Sequence, residues 1–561
     1  MYKYRNQMAI MRSLGATRGQ VFKVVWIQSS LLNFIGSGLG LILAMGSNRI
    51  SHGWMASLFS NETSNTNFQF GVALGVWLSA SIIIQLFMLI PAYRSSNILP
   101  LKIIENNENN DFSSKKVGKR LGFGFLISGI FILLIAFVQR ESGEGAGYFL
   151  LTALLLILGI FRLFPVYLPT LLTVIAPMLK KLFGSLSYVA IRNLIPQVRK
   201  NTLVMLTISL MILITVMGST MFKTIQSNSI QYLKVQYPTN IVVTTRLGHD
   251  STIDRNDLTK SIIELTGKGE VSTLSTAGSA YLVRGDDTPD ISYAIADLKK
   301  MNEQGLLDIP TDDLSNGIVI TQQIADQYGI QIGELIALQK YSEPLQSKVS
   351  AGTVIVKGIY ESLPGSYVKA LIDWSHKGVD RKFNVVNKAF IDSADPQQTL
   401  TQLEGLKRIY PGQLQINSYE QAVEQSNEMY VQRWAIYMAV LVIILISVMM
   451  GVVNQIIHQI YVKRREFAVL RTISVTEKGI LKVILTQAIL YLTIGILLGL
   501  GLGLLSTYTI SLIGSSDIRF DFKLVILVSS LMLGITCAVV IPVANQIRKS
   551  SLTAELSYDN K

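Results

Sequence analysis

Eight stretches of this 561-residue chain are each long and apolar enough to cross a bilayer, and that limits what else it can fold into. They lie near 26–47, 71–92, 122–139, 147–164, 200–222, 433–456, 484–511 and 523–544. A hydrocarbon core takes roughly 20 helical residues to span, and inside it every backbone N–H and C=O must be paired within the protein. A charged fraction of only 16% and a mean hydropathy of +0.40 agree with that reading. Between the fifth and sixth stretches, residues 223–432 are polar and mixed, with no spanning run. The expected fold is a polytopic α-helical membrane protein with about eight transmembrane helices and one α+β domain outside the bilayer.

The net charge of +13 does not mark a nucleic-acid partner, because its distribution is segregated. Residues 223–432 hold 19 Lys+Arg against 25 Asp+Glu, so the remainder of the chain carries the whole positive excess. The basic residues crowd into alternate loops, around Lys115–Arg120, around Lys180–Lys200 and around Lys463–Arg471. The positive-inside rule places these loops in the cytoplasm, both termini with them, and the acidic domain on the far side of the membrane. The single cysteine, Cys537, falls in the last span, so the outer domain is expected to stand without a disulfide. No cleavable leader is expected, since Met1 opens straight into a basic segment.

That basic segment is written twice. Tyr4–Gln28 reads YRNQMAIMRSLGATRGQVFKVVWIQ, and Lys463–Gln487 reads KRREFAVLRTISVTEKGILKVILTQ. At one constant offset of 459, Arg12 meets Arg471, Lys23 meets Lys482 and Gln28 meets Gln487. Each copy is an amphipathic elbow running into a long apolar helix. Met8, Met11 and Leu14 recur at every third position, matched by Phe467, Leu470 and Ile473, and form a drifting apolar stripe flanked by charge. One such helix is explained equally well by lying on anionic lipid. Two with matched positions favour docking into two copies of a cytoplasmic partner with an apolar groove and acidic groups for Arg12 and Arg471.

Glycines mark the following helices. Gly36 and Gly40, and Gly495, Gly499 and Gly503, form rows of small residues at four-residue spacing that let helices approach closely in lipid. Packing within the chain and a seam between two copies both remain open for them. Gln85 is polar inside a predicted span with no partner evident from the sequence, and Arg140 and Arg162 are expected at span ends. Catalytic signals are lacking: there is no GxxxxGK[ST] phosphate loop, no HExxH and no GxSxG, and the four histidines are scattered. Neither a metal nor a cofactor is expected.

In the outer domain Ile241–Thr245, Gly317–Thr321, Leu335–Leu338 and Gly352–Tyr360 are strand-like. Ile320–Ile330 and Asp395–Tyr410 have helical periodicity. Ser418–Trp434 is expected to be a helical stalk continuing into the sixth span. Four regions follow: a first unit at 1–104, a linker with three central spans at 105–222, the outer domain at 223–432, and a second unit at 433–561.

Both elbows (MAIMRSLGATRGQVF and FAVLRTISVTEKGIL), the closing segments PAYRSSNILPL and RKSSLTAEL, and NGIVITQQIADQYGIQIGELIAL resemble the FtsX-like permease family of ABC transporters, which has a MacB-type fold. The resemblance implies a bacterial plasma-membrane permease subunit without its own ATPase. Met8, Met11, Arg12, Leu14, Gly15, Ala16 and Thr17 would form one coupling helix, and Glu466, Phe467, Leu470, Arg471 and Ile473 the other. Each would sit on a separate cytoplasmic ABC ATPase, itself a dimer. Family members move something outside the membrane rather than through a central channel. Ten-span members carry a further span, outer domain and span before the first elbow, so this chain resembles their C-terminal part. A second permease copy or a separate N-terminal half then becomes a further partner. A ligand-sensing subunit that moves no cargo, and an inactive fragment, remain as alternatives. The first elbow's SLGAT is TISVT in the second, so Gly15 faces Ser474 and the two need not engage alike.

Overall fold

The computed structural model describes residues 11–58, 69–96, 115–139, 145–192, 194–195, 198–245, 253–267, 270–284, 288–310, 313–342, 344–379, 386–472, 475–513 and 518–549. Met8, Ile473, Ser474, Arg140 and most of the linker after residue 104 lie outside them. In chain order the helices are α1 (Arg18–Leu58), α2 (Phe70–Ser96), α3 (Lys115–Val138), α4 (Gly145–Phe183), α5 (Ser185–Arg192) and α6 (Val198–Gln236). Then come α7 (Arg255–Thr266), α8 (Leu298–Glu303), α9 (Gln322–Tyr328) and α10 (Pro396–Ile409). The last four are α11 (Tyr419–Val462), α12 (Arg464–Thr472), α13 (Glu477–Ser511) and α14 (Phe522–Lys549). The chain divides into a helical unit, up to Met221 and from Gln432 onward, and a sheet unit, Phe222–Val431.

Among the described residues eight helices, α1–α4, α6, α11, α13 and α14, are long and apolar enough to cross a membrane. α4 runs much further than its sequence suggests, through Pro165, Pro169 and Pro177. Proline ends a helix in water, but in a membrane bundle neighbouring groups and local adjustment absorb the lost hydrogen bond. Arg162 stands near the middle of α4, which at 39 residues is longer than one bilayer crossing needs.

Small residues set the helix crossings. α3 meets α4 where Gly122 and Gly159 face each other: a Cβ on Gly122 would lie 2.6 Å from Leu163, and one on Gly159 2.8 Å from Leu126. α6 meets α11 where the Tyr437 ring lies against Gly218, with the Tyr437 hydroxyl donating to the carbonyls of Ile214 and Thr215 at 3.3 Å. One buried cluster then joins residues of α4, α5, α6, α11, α12, α13 and α14, among them Leu172, Ile191, Met205, Ile208, Leu445, Phe467, Leu492 and Met532.

The α1–α2 pair is held differently. Gln85 Nε2 donates to Ser30 Oγ at 2.5 Å, and Asn33 Nδ2 to the Ser81 carbonyl at 3.0 Å. Trp77 Nε1 donates to Ser37 Oγ at 2.9 Å, and Ser81 Oγ to the same oxygen at 3.2 Å. Positions 30, 33 and 37 climb one face of α1 while 85, 81 and 77 descend the facing side of α2. Gln85 is therefore paired, by a rung of a polar ladder that only the antiparallel register creates. In lipid, where apolar contact gives two helices little reason to associate, such bonds contribute about 0.6–2 kcal/mol each.

In the sheet unit nine strands form one sheet: β1 (Ile241–Thr245), β2 (Val271–Val283), β3 (Asp290–Ala296), β4 (Gly317–Thr321), β5 (Leu335–Ser342), β6 (Ser347–Tyr360), β7 (Ala370–Asp373), β8 (Lys388–Ile391) and β9 (Leu414–Ser418). Their order is β3-β7-β4-β6-β5-β2-β8-β1-β9, and β3 also pairs with β2. Six strands thus close into a ring around Leu282, Tyr293, Ile318, Leu338, Val354 and Ile372. The long strand β2 bulges between Thr276 and Gly278, where Gly278 takes a φ of +130°. Its first residues pair with β8 and its last with β5, so it joins the ring to a three-stranded extension. α7 and α10 pack on that extension through Leu258, Ile262, Leu403 and Leu406. Asp254 and Asp395 cap them, each accepting from backbone N–H groups of the first turn. α11 begins directly after β9 and continues unbroken, as the stalk expectation required.

Lys388 on β8 is half-buried and donates from Nζ to the Gln236 side chain and to the Gly365 carbonyl at 2.9 Å. Burial pushes its pKa from 10.5 down to about 8. The unfolded chain then holds this proton up to about pH 10.5 while the folded domain releases it above about pH 8, so folding strengthens as pH rises through that window. The penalty is fully present below about pH 8, and its relief amounts to at most about 3 kcal/mol. Unfolding of the protein measured at pH 7.5 and pH 10 is expected to show this gain, and Lys388→Met to remove it. An equal pH response in both proteins would show that Lys388 is not the group responsible.

Candidate functional site: the repeated elbow

The first elbow ends its helical turn at Met11–Ser13 and reverses at Gly15, whose φ is +98°. Gly15 N donates to the Arg12 carbonyl at 3.2 Å and Ala16 N to the Met11 carbonyl at 3.0 Å. This pair of bonds around a left-handed glycine is the Schellman closure of a helix C-terminus. Thr17 then opens α1 with a reciprocal cap: Gln20 N donates to Thr17 Oγ1 at 3.3 Å, and Thr17 N to Gln20 Oε1 at 2.8 Å.

The second elbow repeats the turn at the same offset of 459. Val475 N donates to the Leu470 carbonyl at 3.2 Å, and Gly479 N to Thr476 Oγ1 at 3.2 Å. Val475 corresponds to Ala16, Leu470 to Met11 and Thr476 to Thr17. The six-residue closing bond is therefore made without a glycine at the position of Gly15. The capping glutamine is lost, since Gly479 stands where Gln20 does.

The apolar stripes differ. Leu14 is 82% exposed and Met11 36%, so these two residues of the first stripe lie outward. Phe467 is only 2% exposed and Leu470 packs against the bundle, so these two residues of the second face inward. Matched stripes in a partner's groove is thus corrected for Phe467, which anchors α12 to its own helices. Around it Ile456, Gln459, Ile460, Lys463, Ile484, Gln487, Ala488 and Tyr491 line a cavity of about 10 Å³, space for about one water. Arg471 falls on the last turn of α12. Arg12 is half-buried and engaged, while Gly15, Thr17 and Glu466 are exposed and Ala16 packs beside Val21, Val25 and Ala92. Among the described side chains, the exposed charges beside the first elbow are Arg18 and Lys23, and beside the second Glu466, Glu477, Lys478 and Lys482.

The helices behind the elbows differ in the same sense. Gly495, Gly499 and Gly503 of α13 are buried on α6: a Cβ on each would lie 2.8 Å from Ile208, 2.5 Å from the Ser209 carbonyl and 2.7 Å from Val216. That row is a packing seam within the chain, which removes it as a seam between copies. Gln487 is buried beside it and donates to the Ala190 carbonyl of α5 at 3.1 Å. Gly36 and Gly40 of α1 have no described neighbour within 4 Å of a Cβ position. Composition marked the glycines and the paired glutamines, but Phe467 as an anchor needed the packed structure to be seen.

Comparison with known proteins follows the repeat. The FtsX-like permease C-terminal family matches residues 1–100 and 437–552, which are the two elbow-bearing ends. No curated protein matches the chain significantly. Among solved structures, the extracellular domain of the noncanonic ABC-type transporter YknZ from Gram-positive bacteria aligns at 11% identity, over 32% of this chain and 98% of its own, with a TM-score of 0.24. The periplasmic region of MacB from Actinobacillus actinomycetemcomitans aligns at 13% identity over 36% and 97%, with a TM-score of 0.26. A domain of a putative permease from Porphyromonas gingivalis aligns at 15% over 32% and 88%, at 0.22. The match falls on the duplicated elbows and their hairpins: the chain is a multi-pass membrane protein whose two ends match the FtsX-like permease C-terminal family.

Proposed function

We propose that the chain is a permease subunit whose two elbows receive force from a separate cytoplasmic ABC ATPase, engaged as a dimer. The observation that carries this is the same capped turn built twice at a constant offset, each copy ending in a spanning helix. The segregated basic loops support elbows and termini on the cytoplasmic side, with the sheet unit outside the membrane. α6 and α11 each run unbroken from membrane span to sheet unit, so they are the routes by which movement of the spans reaches it. The work done is export, extraction or mechanical control of an external partner rather than conduction through a pore. In the first elbow Leu14 and Met11 supply the apolar contact and Arg12 the charge; in the second, Arg471 and Glu466 supply charge while Phe467 holds the helix in place.

Co-expression with an ATPase from the same source tests this. Arg12→Glu with Arg471→Glu is expected to weaken co-purification by roughly tenfold or more, as truncating interfacial charge pairs does. Because Arg12 is half-buried and engaged, the melting midpoint is measured alongside, and weakened association counts only where that midpoint is retained. Undiminished association would sink the docking role of the elbows. Ligand-stimulated ATP hydrolysis with no external cargo displaced would instead favour a sensing subunit.

A further inference from the structure

The corner between α4 and α5 gathers positive charge around one aromatic ring. Gly184, with a φ of +89°, ends α4 as its N–H donates to the Lys180 carbonyl at 3.0 Å, and α5 starts at Ser185. The turn brings Tyr188 and Arg192 of α5 beside the last turn of α4. The Lys180 ammonium lies 5.7 Å from the centre of the Tyr188 ring, and so does the Arg192 guanidinium. Arg192 Nε donates to the Tyr188 hydroxyl at 3.1 Å, which leaves the two terminal nitrogens of the guanidinium for another acceptor. Lys180, Lys181 and Arg192 are exposed, and none has an ion pair among the described residues. Neither α4 nor α5 contains an acidic residue. Gln487, near the start of the apolar stretch of α13, bonds the Ala190 carbonyl and so holds α5 at the membrane boundary. On α4, Leu171, Val174 and Met178 are exposed and share one face with Lys181. The ring's negative face offsets part of the repulsion between the two cations, and no group of the chain supplies the rest.

We propose that the α4–α5 corner binds the headgroup of an anionic phospholipid. The phosphodiester has two unbridged oxygens, which accept from the terminal nitrogens of Arg192 as a fork and from the Lys180 ammonium. The acyl chains lie along Leu171, Val174 and Met178. Two features select this occupant together. Paired cations with no carboxylate call for an anion, and the exposed apolar face that ends in Lys181 calls for hydrocarbon. Free phosphate answers only the first, and an uncharged lipid only the second.

The test releases the full chain into native mass spectrometry from detergent micelles doped with equal phosphatidylglycerol and phosphatidylcholine, and reads the ratio of the two lipids retained. Phosphatidylglycerol is expected in excess, and Lys180→Gln with Arg192→Gln to cut that ratio about tenfold. Arg192→Lys, which keeps the charge and loses the fork, should cut it about threefold. Lys23→Gln with Lys478→Gln, at exposed lysines of α1 and α13, should leave it unchanged. The melting midpoint in phosphatidylcholine alone should be the same for all these chains, since the substituted side chains are exposed. Where the Lys180→Gln, Arg192→Gln chain melts lower, Arg192→Lys against the unaltered chain decides. A ratio near one for the unaltered chain overturns the proposal. An equal fall with Lys23→Gln and Lys478→Gln does so too, because it traces retention to net charge alone. Displacement of the lipid by millimolar inorganic phosphate would make this a site for free anions instead. An unchanged ratio, with ATPase co-purification lost from the Lys180→Gln, Arg192→Gln chain, would assign both cations to that partner.

Discussion

Gly499→Val is expected to break the helical unit, whereas Gly40→Val at the repeat-related position leaves its stability intact. A Cβ at 499 would lie 2.5 Å from the Ser209 carbonyl oxygen, 2.7 Å from Ile212 Cβ and 3.0 Å from Ser209 Cα. Two of those three atoms are backbone, and neither can rotate away. The branched methyls of valine add to the same collision, so α13 must separate from α6. Overpacking of this kind costs about 3 kcal/mol or more when backbone has to move. Separation also strips the α6 residues Ile208, Ile212 and Val216 of their contact, and in lipid close packing is much of what holds helices together. At Gly40 no described atom lies within 4 Å of the added group, so no collision follows. Thermal unfolding in detergent, followed by the fraction remaining monodisperse after heating, compares the two variants directly. Equal midpoints would mean that the α6–α13 seam is not where the unit's stability lies.

Much of this was legible in the primary structure, for identifiable reasons. The spans follow from length and hydropathy, because a membrane helix must satisfy its own backbone. The elbows follow from duplication, and Gly15 and Thr17 announce a helix stop and start. Strands β1, β4, β5 and β6 are β-branched runs that stand out locally. β2 does not: VSTLSTAGSAYLV mixes small and polar residues because it bulges at Gly278 and changes partner along its length. β3 and β7–β9 are equally quiet. The closure of six strands into a ring is a matter of which edges meet, and no local pattern encodes it. The Ser30–Gln85 rung and the Gly499–Ser209 contact share that character, since each needs the register between two segments 55 and 290 residues apart. The duplication misled at one point. Phe467 and Met8 share a repeat position, and identity of position suggested identity of exposure, yet Phe467 is buried between α11 and α13, of which only α13 has a described counterpart, α1.

Phe467→Ala is expected to release the second elbow from its spans, with effects on stability and on coupling that fall together. The ring is buried against Ile456 and Ile460 of α11 and Ile484, Ala488 and Tyr491 of α13. Removing it enlarges a space that already holds about one water's volume, beside the polar ends of Gln459 and Gln487. Large-to-small substitution of a buried phenylalanine costs about 3–5 kcal/mol, and here the enlarged cavity would be bordered by the buried polar ends of Gln459 and Gln487. Among the described side chains of α12, Ala468 is buried and Leu470 packs against the same cluster, while Glu466, Val469 and Thr472 are exposed. A helix of nine residues has little stability of its own, so without the anchor it frays. Under the proposed coupling, force delivered to a frayed elbow would not be passed to α11 and α13. Phe467→Ala should therefore lower the melting midpoint and abolish ATPase-driven work in the assembled complex. Leu14→Ala, at an exposed position, should weaken ATPase association while leaving the midpoint unchanged. The contrast separates an inward anchor from an outward contact. If Phe467→Ala left the midpoint where it was and Leu14→Ala lowered it, the assignment of the two stripes would have to be reversed.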